Sequence, residues 1–217
     1  MPLQNRVTPF GELIATPARG RLMGNRGCLH DAARRIRRPF QVKRWIICVL
    51  EFKGRHRKVM APGQYTELFF LDEATALAAG HRPCAECQRA RYDLFRRHWA
   101  GRGRTLPGAD DMDVVLHAER LAAGDKRTYR TRLANMPAGT MVADATGRAH
   151  LVQADGLREW TPAGYTTRVT WPATRTVTVL TPRSIVRTLA RGYPVDVHPS
   201  ARALEPRAAR PRAAAPS

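Results

Sequence analysis

Long apolar runs are missing from this chain of 217 residues: nowhere do about eighteen apolar residues follow one another, so no membrane-spanning helix is expected. The opening stretch MPLQNRVTPFGELIATPARGR has no apolar core of signal-peptide length, and a cytoplasmic protein is expected. Acids are scarce too. Eighteen Asp and Glu stand against 37 Lys and Arg, a formal net charge of +19. A field of that sign calls for a polyanionic partner, nucleic acid before an anionic membrane surface. Arg, Ala, Pro and Gly are abundant together, as a GC-rich genome also produces, and the tail ARALEPRAARPRAAAPS has that character. Cysteines number four, which in a cytosolic chain of this size points to metal ligation or reduced thiols rather than a disulfide framework. There is no internal repeat.

The charge is distributed unevenly: residues 1 to 99 carry +11, residues 100 to 200 carry +5 and the tail +3. The stretch AGRGRTLPGADD (100 to 111) mixes Gly, Pro and polar residues without periodicity and reads as a linker. The expected organisation is a basic domain over 1–100, a β-rich domain over 112–198 and a disordered basic tail over 199–217.

Within the first half, KRWIICVLEFKGRHRKVM reads as a strand, a Lys53-Gly54 turn and a return strand, and YTELFFLD as a further strand. Asp72 suits the N-cap of a short helix EATALAA that stops at Gly80. After Cys84-Ala-Glu-Cys87, Tyr92, Phe95 and Trp99 recur at helical spacing with arginines off that stripe, so an amphipathic helix with a basic outer side is expected. In the second half, alternating segments between glycines and TRTVTVLTP read as strands, and RSIVRTLARG as a helix ending at Gly192. The fold class is therefore α+β, its second part a small sheet or partial barrel closed by a helix. Trp160, Tyr165, Trp171 and Tyr193 either stack on bases or fill that part's core.

Two cysteines three positions apart on a turn entering a helix can converge on one tetrahedral zinc with a relaxed backbone. The same spacing serves thiol–disulfide chemistry, but Ala85-Glu86 is not the aromatic or Gly-Pro insert of that chemistry. Cys28 and His30, in MGNRGCLHD, are the candidate partners of Cys84 and Cys87, with His56 and His81 as alternative fourth ligands. Asp31 could orient the His30 ring. Cys48, inside the apolar strand WIICVL, reads as a small core residue, and Glu86 as an acid in the first helical turn. PCAEC and the later HAE (117 to 119) stand in the reverse of the order found in zinc deaminases, so His117 and Glu119 read as one edge of a helix.

The segment FFLDEATALAAGHRPCAECQ resembles the closing half of the metal-binding domain of the Ada adaptive-response DNA repair proteins and of Ada-like zinc modules on bacterial nucleases. Strand, helix, Gly80, Arg82, Pro83, Cys84 and Cys87 coincide in order over residues 69 to 88. The resemblance implies a small zinc module with a β-hairpin and two helices that touches nucleic acid, with Cys84 and Cys87 as zinc ligands. It carries over no methyl-accepting cysteine.

Clusters of arginine supply candidate phosphate contacts without sequence readout: Arg34, Arg35, Arg37 and Arg38, then Arg55, Arg57 and Lys58, joined by Arg82, Arg89 and Arg96. The expected protein contains zinc and binds nucleic acid, DNA ahead of RNA, in DNA repair or processing. The alternative is a metal-dependent enzyme acting on nucleic acid, through an open zinc site or a His30–Asp31 acid–base pair.

Overall fold

The computed structural model describes residues 1–55 and 58–202. His56, Arg57 and most of the expected tail lie outside them; residues 199–202 do not, since Pro199–Ala201 form a short 3₁₀ turn with Ala201 buried.

The protein is a mixed α+β fold built on two six-stranded sheets. The first contains β1 (Gln4–Val7), β2 (Leu13–Ala15), β3 (Leu22–Asn25), β4 (Ile46–Cys48), β5 (Leu68–Phe70) and β6 (Arg82–Pro83), ordered β2-β1-β5-β3-β4-β6. Its pairings are antiparallel except β1 with β5 and β4 with β6. Gly24 lets β3 lie close to β4, because a Cβ there would meet the Ile46 carbonyl at 2.1 Å. The Lys53-Gly54 turn forms with both residues at positive φ. No return strand follows it among the described residues.

The second sheet is antiparallel throughout: β9 (Tyr129–Arg132), β10 (Met141–Ala143), β11 (Ala149–Gln153), β12 (Gly156–Thr161), β13 (Gly164–Val169) and β14 (Thr176–Val179), ordered β13-β12-β11-β10-β14-β9. A two-stranded hairpin, β7 (Leu121–Ala122) and β8 (Asp125–Lys126), precedes it.

Among the described residues, four helices join these layers: α1 (Glu73–Ala78), α2 (Arg89–Ala100), α3 (Ala109–Arg120) and α4 (Arg183–Ala190). Every residue of α1 is buried. Its small side chains let both sheets approach. Ala76 and Leu77 join a core with Val7, Ile47, Phe70 and Phe95, whereas Ala74 and Ala78 join one with Met141, Leu151 and Tyr165.

The charges at the ends of α1 match its dipole. At the N-terminus, the Asp72 carboxylate accepts from Thr75 N (2.9 Å), Thr75 Oγ1 (2.7 Å), Tyr165 Oη (2.8 Å) and His198 N (2.9 Å). Glu73 accepts from Tyr193 Oη (2.6 Å) and pairs with Arg91. At the C-terminus, Lys126 donates to the Ala78 carbonyl and Arg120 to that of Gly80. The guanidiniums of Arg26 and Arg120 each lie 3.9 Å from the Trp45 ring centroid, and burial lowers both to about 9.

The interior crosses the expected linker. Ile185, Leu189 and Tyr193 pack in the same cluster as Leu77, Tyr92, Phe95, Met112 and Leu116, so α2, α3 and α4 share one core across residues 100 to 111. α3 begins at Ala109, inside the expected linker, just before Met112 and Leu116 enter that core.

Candidate metal centre

The polypeptide brings three thiols to one point. β4 and β6 run parallel with Ile46 opposite Arg82 and Ile47 opposite Pro83, which sets Cys48 beside Cys84 at the next position. Cys84 N donates to the Ile47 carbonyl (2.9 Å), and so does the Gln88 side chain (2.9 Å), holding the turn that leads into α2 against β4. Cys87 closes the group from the last turn before α2, with Gln88 N donating to the Cys84 carbonyl (3.2 Å).

The sulfurs of Cys48, Cys84 and Cys87 all lie within 4.8 Å of one another, the one such group of His, Cys, Asp and Glu donors among the described residues. Thiolates sharing a tetrahedral zinc, each about 2.3 Å from it, stand roughly 3.8 Å apart, so the donor set fits one ion with little movement. Cys48 and Cys84 are buried and Cys87 is partly exposed. Glu86 N donates to the Cys84 sulfur at 3.4 Å. Hydrogen bonds from Cys48 and then Cys87 pull the Cys84 thiol far below its ordinary value, whereas the bonds of Cys48 to Cys84 and then Cys87 push Cys48 up. Three crowded sulfurs cannot all ionise unaided, because each added charge repels the others; a divalent cation removes that restriction.

The expected partners of Cys84 and Cys87 are engaged elsewhere. His30 Nδ1 shares a hydrogen bond with Thr66 Oγ1 (2.6 Å) and Nε2 one with the Ala61 carbonyl (3.2 Å), so neither ring nitrogen is spare for a metal. Cys28 directs its thiol to the His30 carbonyl at 3.7 Å. His81 is wholly buried between Trp45 and Phe70, accepts from Arg26 Nε at 3.3 Å, and is held neutral by that burial. The residue read as core, Cys48, provides the third thiol instead.

Nor do His30 and Asp31 form an acid–base pair. The Asp31 carboxylate accepts from the N–H groups of Ala33 (2.9 Å) and Arg35 (3.0 Å) and from the side chains of Arg35 (3.0 Å) and Arg37 (2.8 Å). The Arg35 backbone bond leads in lowering its pKa to about 2.

A groove of about 800 Å³ opens beside the thiols, lined by all three cysteines and by Asn25, Phe52, Lys53, Arg55, Glu67 and Glu86 among others. Arg55 and Glu86 pair across its rim at 2.9 Å. Glu67 accepts from Met60 N at 2.7 Å.

Several expected phosphate contacts are already occupied. Arg82 is buried in a two-bond fork with Asp113, which removes it from any surface. Arg35 and Arg37 converge on Asp31, while Arg89 and Arg96 converge on Asp93. Arg38 and Lys58 are exposed and Arg34 is half-buried. Tyr165 and Tyr193 are buried and bonded to Asp72 and Glu73, so they are core residues; Trp160 donates to Thr75 Oγ1 at 3.0 Å. Glu119 accepts from Ser184 N and Oγ, tying α3 to the start of α4.

No family model, curated protein or solved structure matches the chain.

Proposed function

We propose that the protein is a zinc-thiolate nucleic-acid-binding protein in which Cys48, Cys84 and Cys87 hold one ion, acting on DNA ahead of RNA in repair or processing. The observation that carries the reading is the convergence of three sulfurs from β4 and the turn before α2 within 4.8 Å. Thiolate sulfur is the donor zinc prefers at structural sites, and a chain with four free cysteines leaves them reduced and able to bind it. The resemblance of residues 69 to 88 to Ada-like zinc modules supports the same metal. The net charge of +19 supports the polyanionic partner.

Bound there, zinc would staple the edge pair β4–β6 to the start of α2 and so fix the face from which that helix presents its arginines. The test is metal analysis of the purified chain beside Cys48→Ser, Cys84→Ser and Cys87→Ser, with oligonucleotide binding followed across a salt series. About one zinc per chain, lost in each variant, together with binding that weakens steeply as salt rises, supports the reading. Metal-free wild-type protein or salt-insensitive binding rejects it.

One observation favours a second reading. Three protein donors leave a fourth tetrahedral position, and the adjacent groove of about 800 Å³ gives a ligand access to it. A metal-dependent enzyme acting on nucleic acid would use that position for water. Hydrolysis of an oligonucleotide that stops when zinc is chelated distinguishes it from a purely structural centre.

A further inference from the structure

Five arginines, four of them with no carboxylate partner among the described residues, gather at a place the sequence clusters do not mark. Two adjoining recesses of about 330 and 750 Å³ lie between the C-terminal end of α2, the loop after it, and α4. Both are lined by Arg104 and Arg191; Arg187 borders one, and Arg97 and Arg102 border the other. All five are exposed. Among the described residues, no acidic one lines either recess. The nearest compensation is Glu119, whose Oε1 stands 3.6 Å from Arg187 while its Oε2 is occupied by Ser184.

The cleft is built rather than incidental. Arg191 donates to the carbonyls of His98 (3.2 Å) and Trp99, and the Arg191 carbonyl shares a hydrogen bond with His98 Nδ1 (2.8 Å), which locks α4 to the end of α2. Arg96 donates to the Pro107 carbonyl (2.8 Å), pinning the far end of the loop. Gly101 and Gly103, at φ +84° and +70°, supply the turns that fold the loop over the recesses. Trp99 and the 41% exposed Leu106 add apolar surface to walls that are otherwise cationic.

We infer that this cleft is the contact site for the sugar–phosphate backbone of single-stranded nucleic acid, an inference that rests on the nucleic-acid reading above. Guanidinium forks match phosphate oxygens two at a time. Five of them spread over two joined recesses exceed what one free phosphate could engage, and suit successive phosphates of one strand. The apolar wall beside them suits unpaired bases, which expose their faces only in single strands.

The full-length chain is titrated into a fluorescein-labelled oligothymidine, and anisotropy is read at several salt concentrations. The probes are the wild type, Arg104→Glu/Arg187→Glu and the comparison variant Arg34→Glu/Arg38→Glu. The cleft variant should bind at least ten-fold more weakly than the comparison variant, and its log K against log salt slope should be shallower than wild type by about 1.4 for two lost contacts. Should Arg104→Glu/Arg187→Glu lose its wild-type circular dichroism, Arg102→Ala/Arg104→Ala, on the exposed loop, takes its place with the same expected direction. Equal affinity of cleft variant and wild type, with loss confined to Arg34→Glu/Arg38→Glu, overturns the cleft assignment and leaves the nucleic-acid reading standing. A wild type that binds no oligonucleotide, or binds polyglutamate equally well, overturns both.

Discussion

Arg82 and Asp113 form a buried fork, Nε to Oδ1 at 2.9 Å and Nη2 to Oδ2 at 2.6 Å, which ties β6 to α3. The side chains are 2% and 4% exposed, so each charge depends on the other for its solvation. Arg82→Met should therefore destabilise the fold by about 3–5 kcal/mol, because it strands a buried carboxylate. The double variant Arg82→Met/Asp113→Leu should recover much of that loss. Urea denaturation of the two variants checks both statements.

His30 supports the loop around it rather than a metal. His30→Ala removes the bonds to Thr66 and to the Ala61 carbonyl and should lower stability by about 1–3 kcal/mol. Metal content of His30→Ala and of Cys28→Ser should equal that of the wild type. Loss of the ion in either one would place the metal elsewhere.

Tyr165 fastens the second sheet to the start of α1 through its 2.8 Å bond to Asp72. Tyr165→Phe keeps the ring's packing and removes only that bond to a charged acceptor, with an expected cost of about 1.5–3 kcal/mol in thermal or urea unfolding. Burial raises the Tyr165 hydroxyl well above its ordinary value, so the donor stays protonated throughout the usable pH range.

Lys126 gives stability a pH dependence of known sign. Burial, reinforced by Arg26 and Arg120, lowers its ammonium to about 7 in the folded chain from 10.5 when unfolded. Between those values the unfolded state binds more protons, so Lys126 makes stability rise as pH increases from about 7 towards 10, while below 7 its penalty is constant. Lys126→Met should reduce that rise relative to wild type in urea midpoints measured across pH 6 to 10. Parallel curves for the two proteins would show that the ammonium is not perturbed.

Local signals in the sequence suffice where the chemistry is local. Asp72 caps α1, the stripe Tyr92–Phe95–Trp99 faces inward on α2, and TRTVTVLTP and RSIVRTLARG become β14 and α4. The third thiol was hidden because Cys48 looks like any small residue in an apolar strand. Only the parallel pairing of β4 with β6, a contact between segments 36 residues apart, turns it towards Cys84. The stretch 100 to 111 shows the same limit of a local signal. Its Gly and Pro residues mark a surface loop, but the apolar stripes of α3 and α4 close over α2, which no composition shift records. Arginine clusters in sequence likewise say nothing of Asp31, Asp93 and Asp113, the carboxylates that neutralise their members.

The central claim is that Cys48, Cys84 and Cys87 share one ion. X-ray absorption at the zinc edge of the purified chain, with Cys48→Ser beside it, addresses this most directly. The expected result is about three sulfur neighbours near 2.3 Å in the wild type, falling to two or to no bound zinc in the variant. A wild-type spectrum with two sulfurs or none, unchanged by Cys48→Ser, would contradict it.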